Sequence, residues 1–325
     1  MKFVPGLTLN AQFYHDVVGP LIAEGFPQLR YSAALMGYGS DVLGFDNATS
    51  MDHNWGPRMQ LFLSPDDFEM QRAKLDAFLR NALPLQFDGF PTNFCAPRYD
   101  RTQTMEATTS HPVNHLIELT TIDAYLLRYL GIISSTELTE KDWIAFDDQK
   151  LLEVTSGRVF HDGLGQLTEV RGRLQFFPHV VLLNRLSGLW KLVEQDEPLV
   201  GRSIELQTPI GTKILAARLV EHCIRICLYL DGKYIPYPKW LIRAFETTRH
   251  YAEVQPLAAA VLSDAEPHAI EDALCALYEK VVEIHNRDGR LPRLDNRRRD
   301  FFNRPYKVIF AETIVAALKR ADREG

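Results

Sequence analysis

A glycine-rich turn and a short polar pair stand close together early in the sequence. Gly37, Gly39 and Ser40 follow a short apolar run. Asp52 and Asn54 lie two residues apart, just ahead of the next apolar run. Glycines let a backbone approach a phosphate closely, and a Gly-x-Gly-Ser turn between a strand and a helix would add amide donors and a hydroxyl. Side chains two residues apart on a strand point to the same face, so the polar pair is expected to share one ligand.

This arrangement predicts a phosphate cradle beside a pair of metal ligands. Two other phosphate-binding motifs do not fit. A dinucleotide-binding fingerprint would need a glycine in place of Val42, and no Gly-Lys-Ser or Gly-Lys-Thr completes a P-loop.

Composition limits the class of protein. The chain has 325 residues, of which 46% are hydrophobic and 24% charged, so it is long enough for a full core and favours two domains. Its formal net charge of -6 argues against bulk DNA binding by a basic surface. The four cysteines are scattered, as in a reducing compartment, and no apolar run is long enough for export or membrane spanning. We therefore expect a cytoplasmic protein without membrane partners.

Hydrophobic periodicity places the polar residues on a small sheet. Short apolar runs predict three strands, at Tyr31 to Met36, Arg58 to Leu63 and His115 to Thr121. A first helix is expected to start at Thr8 as its N-cap, and another to open at Ser64 and end near Asn81. Pro91 to Pro112 has no period, which predicts a long functional loop.

From about Leu174 the apolar period becomes that of helices. One long helix is expected to end at Gly232, and another to run from Ala265 to His285. The sequence therefore predicts an α+β domain over residues 1–172, followed by an α-helical bundle domain over residues 173–325.

Several stretches carry a resemblance to known families. Gly39-Ser40, followed after eleven residues by Asp52-His53-Asn54, resembles the Gly-Ser and Asp-x-Asp/Glu motif of nucleotidyltransferases of the DNA polymerase beta superfamily, which includes kanamycin nucleotidyltransferase. Longer stretches resemble a bacterial branch, the domain of unknown function 4037: "SMDHNWGPRMQLFL", "LLEVTSGRVFHDGLGQLTEVRGRL" and "HNRDGRLPRLDNRRRDFFNRPYKVI". The resemblance implies a nucleotidyltransferase-type small mixed sheet with helices, and a helical C-terminal domain that closes over the nucleotide.

The resemblance also implies a magnesium site. In that superfamily Mg²⁺ ions activate the attacking hydroxyl and neutralise the phosphates, and oxygen ligands from adjacent strands hold them. Asp52 and Asn54 would bind Mg²⁺ together with a third ligand on a neighbouring strand. Glu118 is expected there because it is a lone acid within an apolar strand, and Asp123 and Asp162 are alternatives. Asp52 and Glu118 would then be the catalytic residues.

Further residues are expected to bind the nucleotide. Gly39, Ser40 and Arg58 would contact the phosphates of an NTP. The segment around Tyr237 and Lys239 resembles one that lines the cleft in kanamycin-type nucleotidyltransferases, so these two side chains are expected to meet a triphosphate or an acceptor. A solvated turn is the alternative there. A dense stretch of arginines between Arg287 and Arg304 suits a phosphate or an RNA acceptor, or pairs with local acids.

The expected function is transfer of AMP, or another NMP, from an NTP to an unidentified hydroxyl. ATP is the expected nucleotide, and the acceptor could be a small molecule, a protein or an RNA end. The pattern departs from the superfamily at Asn54, which stands where an acidic ligand is normal and brings no negative charge. The alternative is therefore a weakened nucleotide-binding or interaction protein that keeps the fold. For Asp52 and Asn54 the alternative is a polar turn. For Arg58 it is an ion pair with a surface acid, and for Glu118 a half-exposed edge-strand position with a partner.

Overall fold

The chain forms two compact units. The computed structural model describes residues 2–263 and 266–324. Contacts between Cα atoms divide the chain into a first unit, Met1–Gln175, and a second unit, Phe176–Gly325. This division falls three residues after the boundary predicted from the sequence.

The first unit combines helices with a small sheet. Its α-helices are α1 Gly6–Phe13, α2 Gly19–Gly25, α3 Pro65–Ala82, α4 Ile122–Leu130, α5 Glu140–Ala145, α6 Asp148–Thr155 and α7 Leu167–Arg173. Its strands are β1 Tyr31–Leu35, β2 Arg58–Leu63, β3 Gln86–Phe87, β4 Phe90–Pro91, β5 Leu116–Thr120 and β6 Arg158–Asp162. A π-helical segment, Tyr14–Val18, joins α1 to α2, and a short 3₁₀ turn spans Ala48–Ser50.

Four of these strands make one mixed sheet. Their order is β5-β2-β1-β6; β2 runs parallel to β5, whereas β1 is antiparallel to both β2 and β6. The predicted α+β class with a small mixed sheet is confirmed, and so are the three predicted strands. The apolar runs gave these strands reliably because β1 and β2 are buried along their whole length.

Helix α3 begins as its sequence predicts. Ser64 caps it by accepting a hydrogen bond from the amide of Asp67 at 3.1 Å, and Pro65 occupies the first turn. Its buried face, Leu75 and Leu79, packs into the core formed with β1, β2 and the first helices. The helix thereby covers one face of the sheet.

The predicted start of the first helix is wrong. The helix begins at Gly6, not after Thr8, and its flanking residue is Pro5. The Gly6 amide donates to the Asp46 carboxylate at 2.7 Å, and the Pro5 carbonyl accepts from Thr8 at 2.9 Å. A carboxylate forty residues away therefore caps the helix, which the local pattern does not reveal.

The second unit is helical, as predicted, with one added hairpin. Its α-helices are α8 His179–Glu205, α9 Pro209–Leu230, α10 Leu241–Glu246, α11 Tyr251–Val261, α12 Pro267–His285 and α13 Ala311–Glu324. A 3₁₀ turn spans Pro238–Trp240, and strands β7 Arg299–Asp300 and β8 Lys307–Val308 pair antiparallel. The predicted end of the long helix at Gly232 agrees with α9, while Ala265, the predicted start of the next, lies outside the described residues.

Within residues 2–263 and 266–324, none of the helices has the length and apolar character that crossing a bilayer requires.

Candidate functional site

A cleft of about 600 Å³ lies along one edge of the sheet in the first unit. The loop after β1, strands β2 and β5, and helices α4 and α6 each contribute to it. Its walls include Tyr38, Arg58, Gln60, His115, Glu118, Arg128, Tyr129, Lys150 and Glu153. Three cationic and two carboxylate side chains therefore share this space with two phenol rings.

Arg58 is the most firmly held cation of the cleft. Its guanidinium donates to both carboxylate oxygens of Asp41, at 2.8 and 2.9 Å, and to the Tyr38 carbonyl at 3.1 Å. Both side chains of this ion pair are almost fully buried. Burial alone would lower the pKa of Arg58, but the adjoining carboxylate raises it above its ordinary value. The Arg58 guanidinium is thus held in a fixed position at the start of β2, with Asp41 as its counter-ion.

Gly39 makes room for this ion pair. Its φ is +133°, in the region that favours glycine, and a Cβ there would lie 2.2 Å from an Asp41 carboxylate oxygen and 2.7 Å from an Arg58 nitrogen. The space beside the Gly39 Cα is therefore filled by the protein's own charges. The glycine is required by this packing, whether or not a phosphate approaches the turn.

The predicted helix after the Gly-Ser turn is wrong. Residues 40–44 form turns, with Gly44 donating to the Asp41 carbonyl at 3.1 Å and Phe45 to the Ser40 carbonyl at 2.8 Å. Gly44 itself has φ +72°, which stops a helix from continuing. The turn consequently offers no helix N-terminus to a phosphate at Ser40.

Arg128 is the second cation, and it lies over two tyrosine rings. Its guanidinium is 5.3 Å from the centre of the Tyr125 ring and 5.2 Å from that of Tyr129, and the two rings stack at 4.4 Å. Glu118 forms an ion pair with it from the neighbouring strand. Glu118 thus has both properties considered for it, since it lies on the edge strand β5 with a partner and also lines the cleft.

Lys150 is the third cation. Its ammonium lies 2.8 Å from a carboxylate oxygen of the buried Glu153 and 5.4 Å from the centre of the Tyr129 ring. The Glu153 carbonyl accepts a hydrogen bond from the Gly37 amide at 2.7 Å. This bond ties helix α6 to the glycine-rich turn, so Lys150 is held near the end of β1.

His115 is a neutral group in the cleft wall. Burial lowers its pKa to about 4. Its Nδ1 accepts a hydrogen bond from the Ile117 amide at 3.2 Å, and its Nε2 lies 3.6 Å from a carboxylate oxygen of Asp76. The imidazole therefore adds no charge to the cleft near neutral pH.

Asp52 and Asn54 do not lie on a strand, so the prediction that they share one strand face is wrong. Both belong to the loop that precedes β2. The Asp52 carboxylate lies 3.0 Å from the imidazole of its neighbour His53. The Asn54 amide oxygen accepts from the Gln103 amide at 2.9 Å, and φ of Asn54 is +50°. Two hydrogen bonds between Asn54 and Gln103 hold this segment in a bend. The alternation of side chains along a strand does not apply to such a bend.

The residues expected to bind magnesium do not fit a metal site in this arrangement. Each already has an internal partner: His53 for Asp52, Gln103 for Asn54 and Arg128 for Glu118. Across the described parts of the chain, no group of three or more His, Cys, Asp and Glu side chains could hold a metal ion. The position on β2 that faces Glu118 across the parallel pair is Gln60, an amide. The donor set thus lacks the clustered carboxylates that Mg²⁺ prefers.

Asp123 and Asp162, the alternatives to Glu118 as the third magnesium ligand, lie outside this cleft. Asp123 lies in the first turn of α4 and borders a different cleft, with Ser64 and Arg30. Asp162 accepts from the Ser32 hydroxyl at 2.6 Å and from the Thr168 amide at 2.9 Å. Burial would raise the pKa of Asp162, but these hydrogen bonds keep it below its ordinary value. It orders the turn after β6.

Tyr237 and Lys239 belong to the second unit. They lie in or beside the 3₁₀ turn Pro238–Trp240, where the Lys239 ammonium is 4.7 Å from the centre of the Trp240 ring. Tyr237 is partly exposed and packs edge-on against the same ring. Their predicted contacts with a triphosphate or an acceptor stay predictions.

Sequence reasoning missed Arg128 and Lys150 in the cleft wall, and it missed Asp41, which holds Arg58 in place behind the wall. Asp41 stands directly after the Gly-Ser turn, and its acidity next to an apolar run was a usable signal of an internal partner. Arg128 and Lys150 lie on short helices with no distinguishing spacing, so only the fold brings them to Arg58 and Glu118.

Comparison with known proteins supports the resemblance to one family. Residues 143–241 match the model of a domain of unknown function, DUF4037. This match covers α6 and Lys150 in the first unit, and Tyr237 and Lys239 in the second. No curated protein matches the chain.

Proposed function

We propose that the first unit binds a nucleotide, ATP in the first instance, by its phosphates in the cleft lined by Arg58, Arg128 and Lys150. The observation that carries this proposal is the convergence of these three cations, from three separate elements, beside the glycine-rich turn. Guanidinium and ammonium groups are the usual protein partners of phosphate oxygens.

The three cations differ in how they would act. Arg58 is held by Asp41 and is buried, so it provides a guanidinium of fixed position at the floor of the cleft. Arg128 and Lys150 are about half exposed, with side-chain exposures of 50% and 48%; Arg128 pairs with the partly exposed Glu118, and Lys150 pairs with the buried Glu153. The pair of Arg128 with Glu118 is partly exposed and therefore weak, so phosphate oxygens would replace the Glu118 carboxylate at low cost.

Aromatic rings give the cleft a place for the base. Tyr38 is 49% exposed, and the Arg58 guanidinium lies 5.7 Å from its ring centre. A nucleobase could stack on the exposed face of this ring while its phosphates extend towards Arg128 and Lys150. The cleft volume of about 600 Å³ is within the range of small-molecule sites.

The proposal is nucleotide binding that does not depend on magnesium, because the described residues expected to bind the ion do not form a cluster of carboxylates. Magnesium-dependent transfer of an NMP to a hydroxyl acceptor is the second candidate, favoured by Glu118, a carboxylate that lines the cleft from the strand next to β2.

Titration calorimetry with ATP tests the proposal, once in EDTA and once with added Mg²⁺. We expect binding in both conditions, and a loss of at least tenfold in affinity, about 1.4 kcal/mol, in Arg128→Ala. Arg173→Ala is the matched control, because Arg173 also forms an exposed ion pair, with Glu169, but lies outside the cleft. ATP affinity that Arg128→Ala and Arg173→Ala alter equally, or no binding to the folded wild type, would refute the proposal.

A further inference from the structure

The arginine-rich segment of the second unit is mostly neutralised by local acids. Six of its seven arginines form ion pairs, at positions 287, 290, 297, 298, 299 and 304. Arg293 forms none with the described residues. Most of this stretch therefore pairs with local acids, which was the alternative to a phosphate or RNA site, and Arg293 is the exception.

Arg293 opens onto a groove of about 480 Å³ in the second unit. The segment from Arg293 to Arg299 lines one side of this groove, and helix α13 lines the other with Ile314 and Arg320. Arg320, like Arg293, is exposed and forms no ion pair within residues 2–263 and 266–324. The groove thus has two cations that no internal carboxylate neutralises.

One acid borders the groove, and it is already shared. Asp295 pairs with Arg297 at 3.0 Å and also with Arg299. These arginines hold the pKa of its carboxyl well below its ordinary value, so it stays charged and bound to them. It therefore does not cancel the charges of Arg293 and Arg320.

Aromatic rings adjoin the same groove. Phe310 lines it, and Phe302 and Phe301 pack on Phe310 with ring centres 5.8 and 6.1 Å away. Phe302 is 74% exposed, which is unusual for a phenylalanine at the edge of a packed cluster. A flat ligand could stack on this ring without displacing any protein group.

The backbone holds two of these rings in a costly conformation. Phe302 has φ +53° and Phe310 has φ +56°, a region that bulky residues rarely adopt. Such conformations persist where the surrounding structure enforces them, and they occur often at ligand sites.

We propose that this groove binds a short single-stranded polynucleotide. Arg293 and Arg320 would contact successive phosphates, and a base would stack on Phe302. Single strands fit better than an acidic peptide, because an exposed flat ring beside unpaired guanidinium groups matches alternating bases and phosphates. This site is separate from the nucleotide cleft, which belongs to the first unit.

Fluorescence anisotropy with labelled oligouridylate and oligodeoxyuridylate of about ten nucleotides tests the proposal on the full chain. We expect binding that weakens steeply with salt. In Arg293→Ala and in Arg320→Ala, which each remove one arginine, the slope of log affinity against log salt concentration should become shallower by about 0.7. Phe302→Ala should weaken binding roughly tenfold with an unchanged salt dependence. Equal affinity for the two oligomers indicates recognition of base and phosphate alone, and a preference for oligouridylate adds the 2′-hydroxyl.

Matched variants keep the test specific. Arg290→Ala removes an exposed arginine that Asp288 already pairs, and Ile210→Ala removes an apolar side chain as exposed as Phe302. Neither should change binding. The proposal is overturned if Arg293→Ala and Arg320→Ala bind as the wild type does, if Phe302→Ala has no effect, or if a polyglutamate peptide competes with the oligomer on equal terms. ATP titrations of the same variants should stay unchanged, so this test fails or succeeds independently of the nucleotide cleft.

Discussion

Arg58 and Asp41 form a buried ion pair in which one guanidinium meets both carboxylate oxygens, at 2.8 and 2.9 Å. The pair joins the first residue of β2 to the turn that follows β1. It accounts for the Gly39 position in the turn and for the direction of the Arg58 side chain at the floor of the cleft.

The first prediction concerns the charge of this pair. Asp41→Asn keeps the side-chain volume but leaves the Arg58 charge buried without its counter-ion, which costs roughly 3 to 5 kcal/mol in other proteins. We expect a loss of free energy of unfolding of that order in urea denaturation. Asp52→Asn is the matched control, because its carboxylate is exposed beside His53, and it should change little. Equal losses in the two variants would contradict the assigned role of Asp41.

A second prediction compares two glycines with positive φ. In Gly39→Ala the new methyl group would meet Asp41 at 2.2 Å as well as adopting a strained φ. In Gly44→Ala nothing lies within 4 Å, so only the backbone strain remains, about 1 to 2 kcal/mol. Urea denaturation should show a clearly larger loss for Gly39→Ala. Similar losses would mean that the ion pair moves aside without cost.

Much of the fold follows from local pattern, whereas most of the cleft does not. Strands β1 and β2 are buried along their length, so uninterrupted apolar runs identify them within one residue. Ser64 and Pro65 place the start of α3 for similar local reasons. The cleft instead depends on side chains whose neighbours come from distant segments, such as Arg128 beside Glu118, and no spacing in the sequence encodes these contacts.

The loop at Asp52 is a case in which the local sequence pattern predicted the wrong structure. Its Asp-His-Asn spacing matches a strand motif. However, hydrogen bonds with Gln103 and the burial of the Trp55 side chain hold this loop in a bend. Tertiary contacts here override the period-two pattern, because the Asn54 backbone amide donates to the Gln103 carbonyl and not to a neighbouring strand.

A third prediction uses two glycines on helix α8. A Cβ at Gly201 would lie 2.2 Å from the Tyr306 ring, whereas one at Gly188 meets nothing within 4 Å. Gly188→Ala should raise the free energy of unfolding by roughly 0.5 to 1 kcal/mol, because alanine favours helix. Gly201→Ala should lower it, since a ring packed in the core must shift. Thermal or urea unfolding would distinguish them, and stabilisation by both would show that Tyr306 does not pack closely on α8.

The fourth prediction concerns pH. Burial raises the pKa of Glu197 from 4.5 to about 7, although its carboxylate accepts hydrogen bonds from the amides of Ile309 and Ala311. A raised pKa means that the folded chain binds a proton more tightly than the unfolded chain. The resulting stabilisation is complete below about pH 4.5 and is lost as the pH rises to about 7, on the order of 3 kcal/mol.

Glu197→Gln tests that assignment. The variant cannot titrate, so the difference in free energy of unfolding between pH 5 and pH 8 should shrink relative to the wild type. Its absolute stability should fall, because an amide nitrogen would face one of the two backbone donors. Glu24→Gln, which removes an exposed carboxyl on α2, serves as the control and should keep the wild-type slope. An unchanged slope in Glu197→Gln would assign the pH dependence to other groups.

The last prediction separates a binding protein from a magnesium-dependent transferase, and it depends on Glu118. If Glu118 serves as the counter-ion of Arg128, then Glu118→Gln frees the guanidinium for phosphate and should tighten ATP binding in EDTA by up to about fivefold, the range of an exposed ion pair. Arg128 should keep its position, because the rings of Tyr125 and Tyr129 still support it.

The opposite result is expected if Glu118 binds magnesium. The variant would then weaken ATP binding only when Mg²⁺ is present, and it would abolish any release of pyrophosphate that the wild type shows. Glu169→Gln is the matched control, since it removes the exposed partner of Arg173 outside the cleft. Calorimetry with and without Mg²⁺, together with a pyrophosphate assay, therefore assigns Glu118 one of two roles with effects of opposite sign. A change in ATP affinity equal to that of Glu169→Gln would exclude both roles and leave Glu118 as a surface ion-pair partner on an edge strand.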